Sequence, residues 1–274
     1  MFDFKCSIDA INNFRKKNKN PITNYIVTSN ELLKYSNMSS SVFVNTEHII
    51  FLFVNDVYVN RVYFYVDDIQ NIEDLGRHIH CNSNNLPTII EHITKQQSDA
   101  EVKELLENIG INYYTRQFRW RAAKLNKVIP RNRLNNTFER AVLSDAYQIA
   151  HILEDTFDVR VSHLPSKDDL DNYIKNQIVF VAKKDDDIIA VWIGENKGNN
   201  GVYFYQNAVS KDYQGSGIGI LLFHYAIGEF VEKKDFSAWV EESNTASANM
   251  HKYIGMKPDG LINYIYVYEK EGKK

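Results

Sequence analysis

Gln214-Gly-Ser-Gly-Ile-Gly219 decides how this chain is read. The stretch follows a strand-like run, Val202-Tyr-Phe-Tyr-Gln-Asn-Ala-Val209, and opens onto Ile220-Leu-Leu-Phe-His-Tyr-Ala-Ile227, which reads as a helix. Glycines let the backbone take positive φ and approach a ligand closely, while the unpaired N–H groups and dipole at a helix start favour phosphate oxygens. A turn of this kind is an anion cradle, so a phosphate-bearing cofactor is the first expectation. A dinucleotide fingerprint asks for G-x-G-x-x-G, and a P-loop asks for Lys and Ser or Thr after its last glycine. Neither pattern is present.

The pattern that fits is Q-x-x-G-x-G, with Gln214, Gly217 and Gly219 at the fixed places, and it resembles the acyl-coenzyme A pyrophosphate loop of the GNAT N-acetyltransferase family. Downstream, Phe236-Ser-Ala-Trp-Val240 reads as a short strand and leads to Asn244-Thr-Ala-Ser-Ala-Asn-Met-His-Lys-Tyr-Ile-Gly-Met256. That segment resembles the family's N-x-x-A-x-x-L-Y-x-x-x-G-F. Ser247 stands at the small position, Met250 at the apolar one and His251 where the tyrosine usually stands, with Gly255-Met256 closing the helix. The resemblance covers roughly residues 137 to 270. It implies an α/β (α+β) fold with a mixed, mainly antiparallel central sheet flanked by helices.

Composition is that of an ordinary globular protein: 274 residues, 44% apolar and 24% charged, enough for one large core or two small ones. A net charge of −3 supplies no basic field and argues against nucleic acid as a partner. No run is long and apolar enough to span a bilayer, and Met1-Phe-Asp-Phe-Lys-Cys lacks the charged head and apolar stretch of a signal peptide. Cys6 and Cys81 are the only cysteines, too few for a disulfide framework or a four-cysteine metal site. These features fit a cytoplasmic enzyme in a reducing compartment, with no membrane partner and no metal.

The C-terminal part reads as strand Phe138 to Val142, helix Asp145 to Glu154 behind Ser144 as cap, helix Lys167 to Lys175 behind Ser166, then strands Ile178 to Lys183, Ile188 to Glu195 and Val202 to Val209. Asp185-Asp-Asp187 is expected to be a solvated hairpin turn rather than a metal site. In the N-terminal part, Val42 to Val44, His48 to Val54 and Val57 to Val66 read as strands. Farther on, Gln97-Ser-Asp99 through Ile109-Gly110 can be laid over Glu242-Ser-Asn244 through Ile254-Gly255, each followed by a tyrosine-rich strand. A worn tandem repeat is therefore expected, with residues 1–130 as a GNAT-like domain lacking the cofactor loop and 137–274 as the GNAT domain proper. The boundary is placed near 125 to 136, where Pro130 and asparagines end the basic stretch Arg116 to Arg133. In the first half, Val66-Asp-Asp-Ile-Gln-Asn-Ile-Glu-Asp-Leu-Gly76 puts acids where a pyrophosphate needs bare donors. That half is left as scaffold, homodimer surface or acceptor-pocket wall.

The resemblance implies direct transfer of an acetyl group from acetyl-CoA to a primary amine of a small molecule, aminosugar, amino acid or peptide. The loop backbone of Gln214, Gly215, Ser216, Gly217, Ile218, Gly219 and Ile220 would take the pyrophosphate. Ala208 and Val209 would bond the pantetheine amides, and Asn244 would touch the cofactor or simply cap its helix. Glu195 is the candidate base, with Glu241 and Glu242 as competitors. His251 is a candidate acid, as is Tyr253, which two helical steps turn about 200° away; no dedicated acid at all is the third option. Tyr203, Tyr205 and Asn207 are expected to share one strand face and line the acceptor cleft, or to pack. His80 and His92 near Cys81 are read as structural. Two other classes stay open: an aminoacyl-tRNA-dependent transferase of tandem type, suited to the basic stretch, and a non-catalytic acyl-coenzyme A sensor.

Overall fold

The computed structural model describes residues 1–24, 27–95, 99–126, 136–198, 200–230 and 233–270. In chain order, helix α1 (Phe4–Lys17), short strand β1 (Ile22–Thr23) and α2 (Ser29–Ser36) precede three antiparallel strands, β2 (Val42–Asn45), β3 (Ile49–Asn55) and β4 (Asn60–Val66). A 3-10 turn at Ile69–Asn71 leads to α3 (Ile72–Asn82), β5 (Thr88–Thr94), α4 (Ala100–Asn108) and β6 (Asn112–Ala122). After β7 (Thr137–Arg140) the order recurs: α5 (Ala146–Thr156), α6 (Lys167–Lys175), antiparallel β8 (Val179–Lys184), β9 (Asp187–Lys197) and β10 (Gly201–Val209). A 3-10 turn at Lys211–Tyr213 then gives way to α7 (Ile218–Gly228), β11 (Asp235–Glu241), α8 (Thr245–Tyr253) and β12 (Lys257–Tyr268). The repeated element order is what the tyrosine-rich segments hinted at.

The chain divides into two compact units, one of Met1–Arg116 with Ile262–Lys274, the other of Gln117–Leu261. Strand order is β2-β3-β4-β5-β12 in the first and β6-β11-β10-β9-β8-β7 in the second. The pairs β4–β5 and β10–β11 are parallel, and the other neighbours within each unit pair antiparallel, so each sheet is mixed and mainly antiparallel. Neither unit is a continuous half of the chain. In the first, β5 pairs with residues from the end of the sequence, Ile262↔Thr94 through Tyr268↔Thr88. In the second, β11 pairs with the end of β6, Phe236↔Ala122 through Glu241↔Gln117. Of the connection expected at 125–136, residues 127–135 lie outside the described residues.

Local chemistry explains the element ends. A capping box starts α2: Thr28 Oγ1 accepts from Glu31 N at 3.3 Å and Glu31 Oε2 accepts from Thr28 N at 2.8 Å. Ser166 caps α6 by accepting from Asp169 N. The expected cap at Ser144 is not used; Asp145 Oδ2 accepts from Val142 N at 3.0 Å instead, and Lys183 Nζ stands 2.9 Å from its carboxylate. Asp185 and Asp186 have φ of 50° and 71°, the left-handed pair of a tight hairpin turn, and Asp187 already begins β9. Under α7, Leu222, Phe223 and Ala226 bury one helix face against Phe180, Trp192 and Phe204. Truncating a ring such as Phe223 to alanine there costs about 3–5 kcal/mol. This packing is the floor on which the glycine turn is set.

Candidate active site

β10 ends at Val209, and the chain reaches α7 through a turn whose shape depends on two glycines. Gly215 has φ +75° and Gly217, the N-cap of α7, has φ +83°. A Cβ on either would meet nothing within 4 Å, so the backbone conformation rather than space demands glycine. Gly219 is different: a Cβ there would lie 2.9 Å from Val209 Cγ2, so its bareness lets helix and strand close up. Four N–H groups of this corner, those of Gly215, Gly217, Gly219 and Ile220, donate to no group among the described residues. The other three expected donors are engaged over long distances, Gln214 N to Lys211 O at 3.4 Å, Ser216 N to Tyr213 O at 3.3 Å and Ile218 N to Ser216 Oγ at 3.3 Å. No side chain caps α7 and no acid stands in its first turn. Convergent unpaired donors at an uncharged helix start favour an anion. Gln214 has an extra task that its motif position did not disclose: its Nε2 donates to Val209 O at 3.1 Å and ties the turn to the strand end.

Beside the turn the sheet forks. β10 and β11 pair from Gly201↔Asp235 to Phe204↔Ala238. Past that point β10 follows β9, Gln206↔Ile193 to Val209↔Ala190, while β11 follows β6 from Trp239↔Arg119 to Glu241↔Gln117. The edge of Asn207–Val209 that faces away from β9 carries no strand among the described residues, which leaves Ala208 and Val209 beside an extended slot. Tyr205 is the extra residue of a bulge, because Phe204 pairs with Gly194 and Gln206 with Ile193. The bulge corrects the expected strand face. Tyr203 and Tyr205 lie together, ring centroids 6.1 Å apart, whereas Asn207 is turned to the opposite face toward α7 and α8. There its Nδ2 stands 3.3 Å from Met250 Sδ, and its Oδ1 is buried without a partner.

The candidate acid–base residues separate by environment. Glu195 is exposed and opposite Tyr203 in the β9–β10 register. Burial, then the charges of Asp169 and Glu195, push the Tyr173 hydroxyl up to about 12. Tyr173 packs edge-on against Tyr205 at 5.8 Å, and Tyr205 donates to His163 O at 2.5 Å. Glu195 thus faces a group of phenols on the side of the sheet away from α7. His251 is 5% exposed and lies against Trp120 and Phe204. Ser247 O, which can only accept, is 2.8 Å from His251 Nδ1, so this nitrogen carries the hydrogen. Burial holds the ring's pKa below its ordinary value, and Nε2 is buried with no partner. The neutral ring therefore has its one N–H committed to Ser247. Tyr253 is 56% exposed on the last turn of α8, and Asn244 caps that helix, accepting from Ser247 N at 2.9 Å.

Residues not singled out in the sequence line a cavity of about 220 Å³ on the Tyr203 face, among them Arg119, Arg121, Lys197 and Trp239. The available signal was the alternation of Arg119 and Arg121, which puts both on one side of a strand. Arg119 lies 2.6 Å from Asp259 and Arg121 2.7 Å from Asp235, so these two cations of the basic stretch are engaged within the second unit. His80 Nε2 lies 3.1 Å from Ile109 O, and His92 Nδ1 lies 2.7 Å from Asp99. Both cysteines are free and exposed. Among the described residues no helix is long and apolar enough to cross a membrane.

A mainly antiparallel sheet that forks beside a glycine-rich helix start is an arrangement with counterparts among known proteins. Residues 146–256 match the model described as the acetyltransferase (GNAT) family. Among solved structures, a tandem GNAT protein from the clavulanic acid biosynthesis pathway covers 98% of this chain and 97% of its own, at TM-score 0.61 and 8% identity. A GCN5-related N-acetyltransferase from Sphaerobacter thermophilus covers 89% and 86% at TM-score 0.60 and 14% identity. One from Kribbella flavida covers 85% and 90% at TM-score 0.56 and 12% identity. At these identities the likeness is one of fold. No curated protein matches the chain.

Proposed function

We propose that the chain is an N-acetyltransferase that moves an acetyl group from acetyl-CoA to a primary amine of a small molecule, aminosugar, amino acid or peptide by direct transfer. The observation that carries this reading is the corner at Gly215 to Ile220, where four backbone donors converge without partners beside a strand edge left open by the fork. Acetyl-CoA fits that corner chemically, a pyrophosphate for the donors and amides for the strand edge, and it supplies an acyl group already activated as a thioester. The cofactor site belongs to the 137–274 half.

The chain's own residues do the rest. The N–H groups of Gly215, Gly217, Gly219 and Ile220 hold the pyrophosphate, with Gln214, Ser216 and Ile218 fixing the turn. The backbone of Ala208 and Val209 pairs with the pantetheine arm, and Asn244 keeps α8 in place through its cap. Glu195, directly or through water, takes the proton from the acceptor ammonium. One amide C–N bond forms as one C–S bond breaks, and the sulfur leaves as a thiolate. His251 has no spare proton for it, which leaves Tyr253 as the side-chain donor and water as the alternative.

Calorimetric titration with acetyl-CoA, coenzyme A and total tRNA, followed by a thiol-release assay over an amine panel, tests the proposal. Coenzyme binding near one per chain with amine-dependent turnover is the expected result. Binding without any turnover would move the reading to a sensor, and binding of tRNA alone to an aminoacyl transferase.

A further inference from the structure

The cavity on the Tyr203 face adjoins the fork. Tyr203 lines it one residue before the last β10–β11 pair, and Trp239 lines it one residue after that pair. At ~3.3 Å per strand residue, the point where the strands part is within about 7 Å of either ring. The cavity lies across the sheet from α7, where an acceptor would meet an acyl group threaded through the slot. About 220 Å³ is room for a small polar head, not for a nucleotide.

Its walls are cationic, although the chain as a whole is acidic. Arg119, Arg121 and Lys197 face one lining carboxylate, Asp235. Arg121 grips Asp235 in a fork, with contacts of 2.7, 2.7 and 3.1 Å, and Arg119 holds Asp259 through Nε and Nη2. These pairs fix the two guanidinium planes and still leave N–H groups on each unused. Lys197 makes no ion pair with the described residues; its ammonium sits 4.7 Å from the Tyr203 ring. Solvated charge on a strand normally projects from a convex surface. Here three cations and two aromatic walls enclose a concavity, which concentrates anions.

We infer that the acceptor amine carries an anionic group, a carboxylate or a phosphate, which this cavity binds through Lys197 and the unused donors of Arg119 and Arg121 while the amine reaches the fork. The inference rests on the acetyl-transfer reading and names the substrate class for that site. Tyr203 and Trp239 flank the carbon skeleton between the two ends.

The test uses the full chain and two matched pairs of amines, glucosamine against glucosamine 6-phosphate and L-methionine against L-methioninamide, with thiol release as readout. The charged member of at least one pair is expected to lead by tenfold or more in kcat/KM, and the pair that shows it identifies phosphate or carboxylate as the anion. Lys197→Glu is exposed and should fold; it is expected to bring that ratio to about one or below. A neutral member that equals or beats its partner in both pairs overturns the inference, as does a ratio unmoved by Lys197→Glu. Binding is read independently of turnover by titrating inorganic phosphate and acetate against intrinsic tryptophan fluorescence. The titrations are repeated in Gly217→Glu to remove the glycine turn as an anion site, and in Trp239→Phe to assign the signal. A saturable response weakened at least fivefold by Lys197→Glu is expected, and no saturable response to either anion overturns the inference. If the anion saturates while acetyl-CoA is neither bound nor turned over, the acetyl-transfer reading falls and the anion site stands.

Discussion

β4 and β10 each run into a three-residue 3-10 turn and then an eleven-residue helix, and each pairs in parallel with the next strand for its first few residues. Beyond that pairing the two corners diverge. Along β4 the free edge is covered by the chain itself: Ile22 pairs with Val66 and Thr23 with Tyr65. Asn24 then donates to Val62 O at 2.7 Å and accepts from Phe64 N at 2.8 Å. In the 3-10 turn before α3, Asp68 accepts from Gln70 N, and Glu73 and Asp74 occupy the first turn of α3. Along β10 the matching edge carries no strand among the described residues, and α7, like α3 without a side-chain cap, has no acid in its first turn. Buried backbone groups must be satisfied by something. The first unit satisfies its corner with a peptide strap and carboxylates, and the second leaves four donors of its corner without partners among the described residues.

The same contrast recurs one helix later. Asp99 and Asn244 both precede their helices as N-caps, and Gly110 and Gly255 both follow with positive φ, +81° and +93°. Between them, Leu106 of α4 and His251 of α8 occupy corresponding places, and both are buried. Leucine there needs no partner. Histidine leaves an unsatisfied nitrogen.

The comparison can be broken in four places. The largest effect is expected from cutting the chain into its halves: residues 137–274 alone keep the glycine turn but lose the Gln117–Ala122 partner of β11, and should show no cooperative thermal transition, a loss comparable to the whole ~5–15 kcal/mol of a domain. Next, Gly217→Glu forces a side chain into positive φ and sets a carboxylate at the donors. Acetyl-CoA affinity measured by calorimetry should fall at least about 100-fold, whereas Gln70→Glu at the first unit's corner should leave it unchanged. Equal binding in both variants would show that the two corners do not differ as described. Third, Asn24→Ala removes the two bonds that the Asn24 side chain makes to the backbone of β4 and should lower the stability read from urea unfolding by about 1–3 kcal/mol.

The smallest effect is expected from His251→Leu, which installs the residue of the other repeat. Acetyl transfer should change less than about threefold; a fall of 100-fold or more would restore His251 as the acid. The pH dependence carries a sign. Burial keeps the folded-state pKa of His251 below its ordinary value, so the unfolded chain protonates first as pH falls. The stability tied to the neutral ring is present above about pH 6.5 and declines as pH drops through that value toward the folded pKa. His224 is shifted the same way by burial. Relative to the parent, the leucine variant should gain urea resistance between pH 7.5 and pH 5.5.

Features governed by neighbours in sequence were legible. Gly215 and Gly217 announce positive φ, Ser166 its cap, and the aspartates before β9 a hairpin, because each depends on a few local torsions. The bulge at Tyr205 was not legible, since no glycine or proline marks it and alternation alone predicts an unbroken face. The partners of β6 and β12 were also hidden: two tyrosine-rich strands of similar pattern can fill either edge, and the choice depends on contacts over 100 residues away. For His251, motif position suggested chemistry, while its burial against Trp120 and Phe204 arises from separate elements.

The pairing of β5 with β12 sets a timetable for synthesis. Glu91, on β5, accepts a hydrogen bond from Asn263, 172 residues later. At ~5–20 residues per second, translation takes roughly 10–35 s to span that interval. For that time β5 emerges with an open edge, a template for mispairing with other chains. A ribosome-bound nascent chain would therefore be at risk of aggregation from the appearance of β5 until β12 follows, and chaperone demand should persist through that interval.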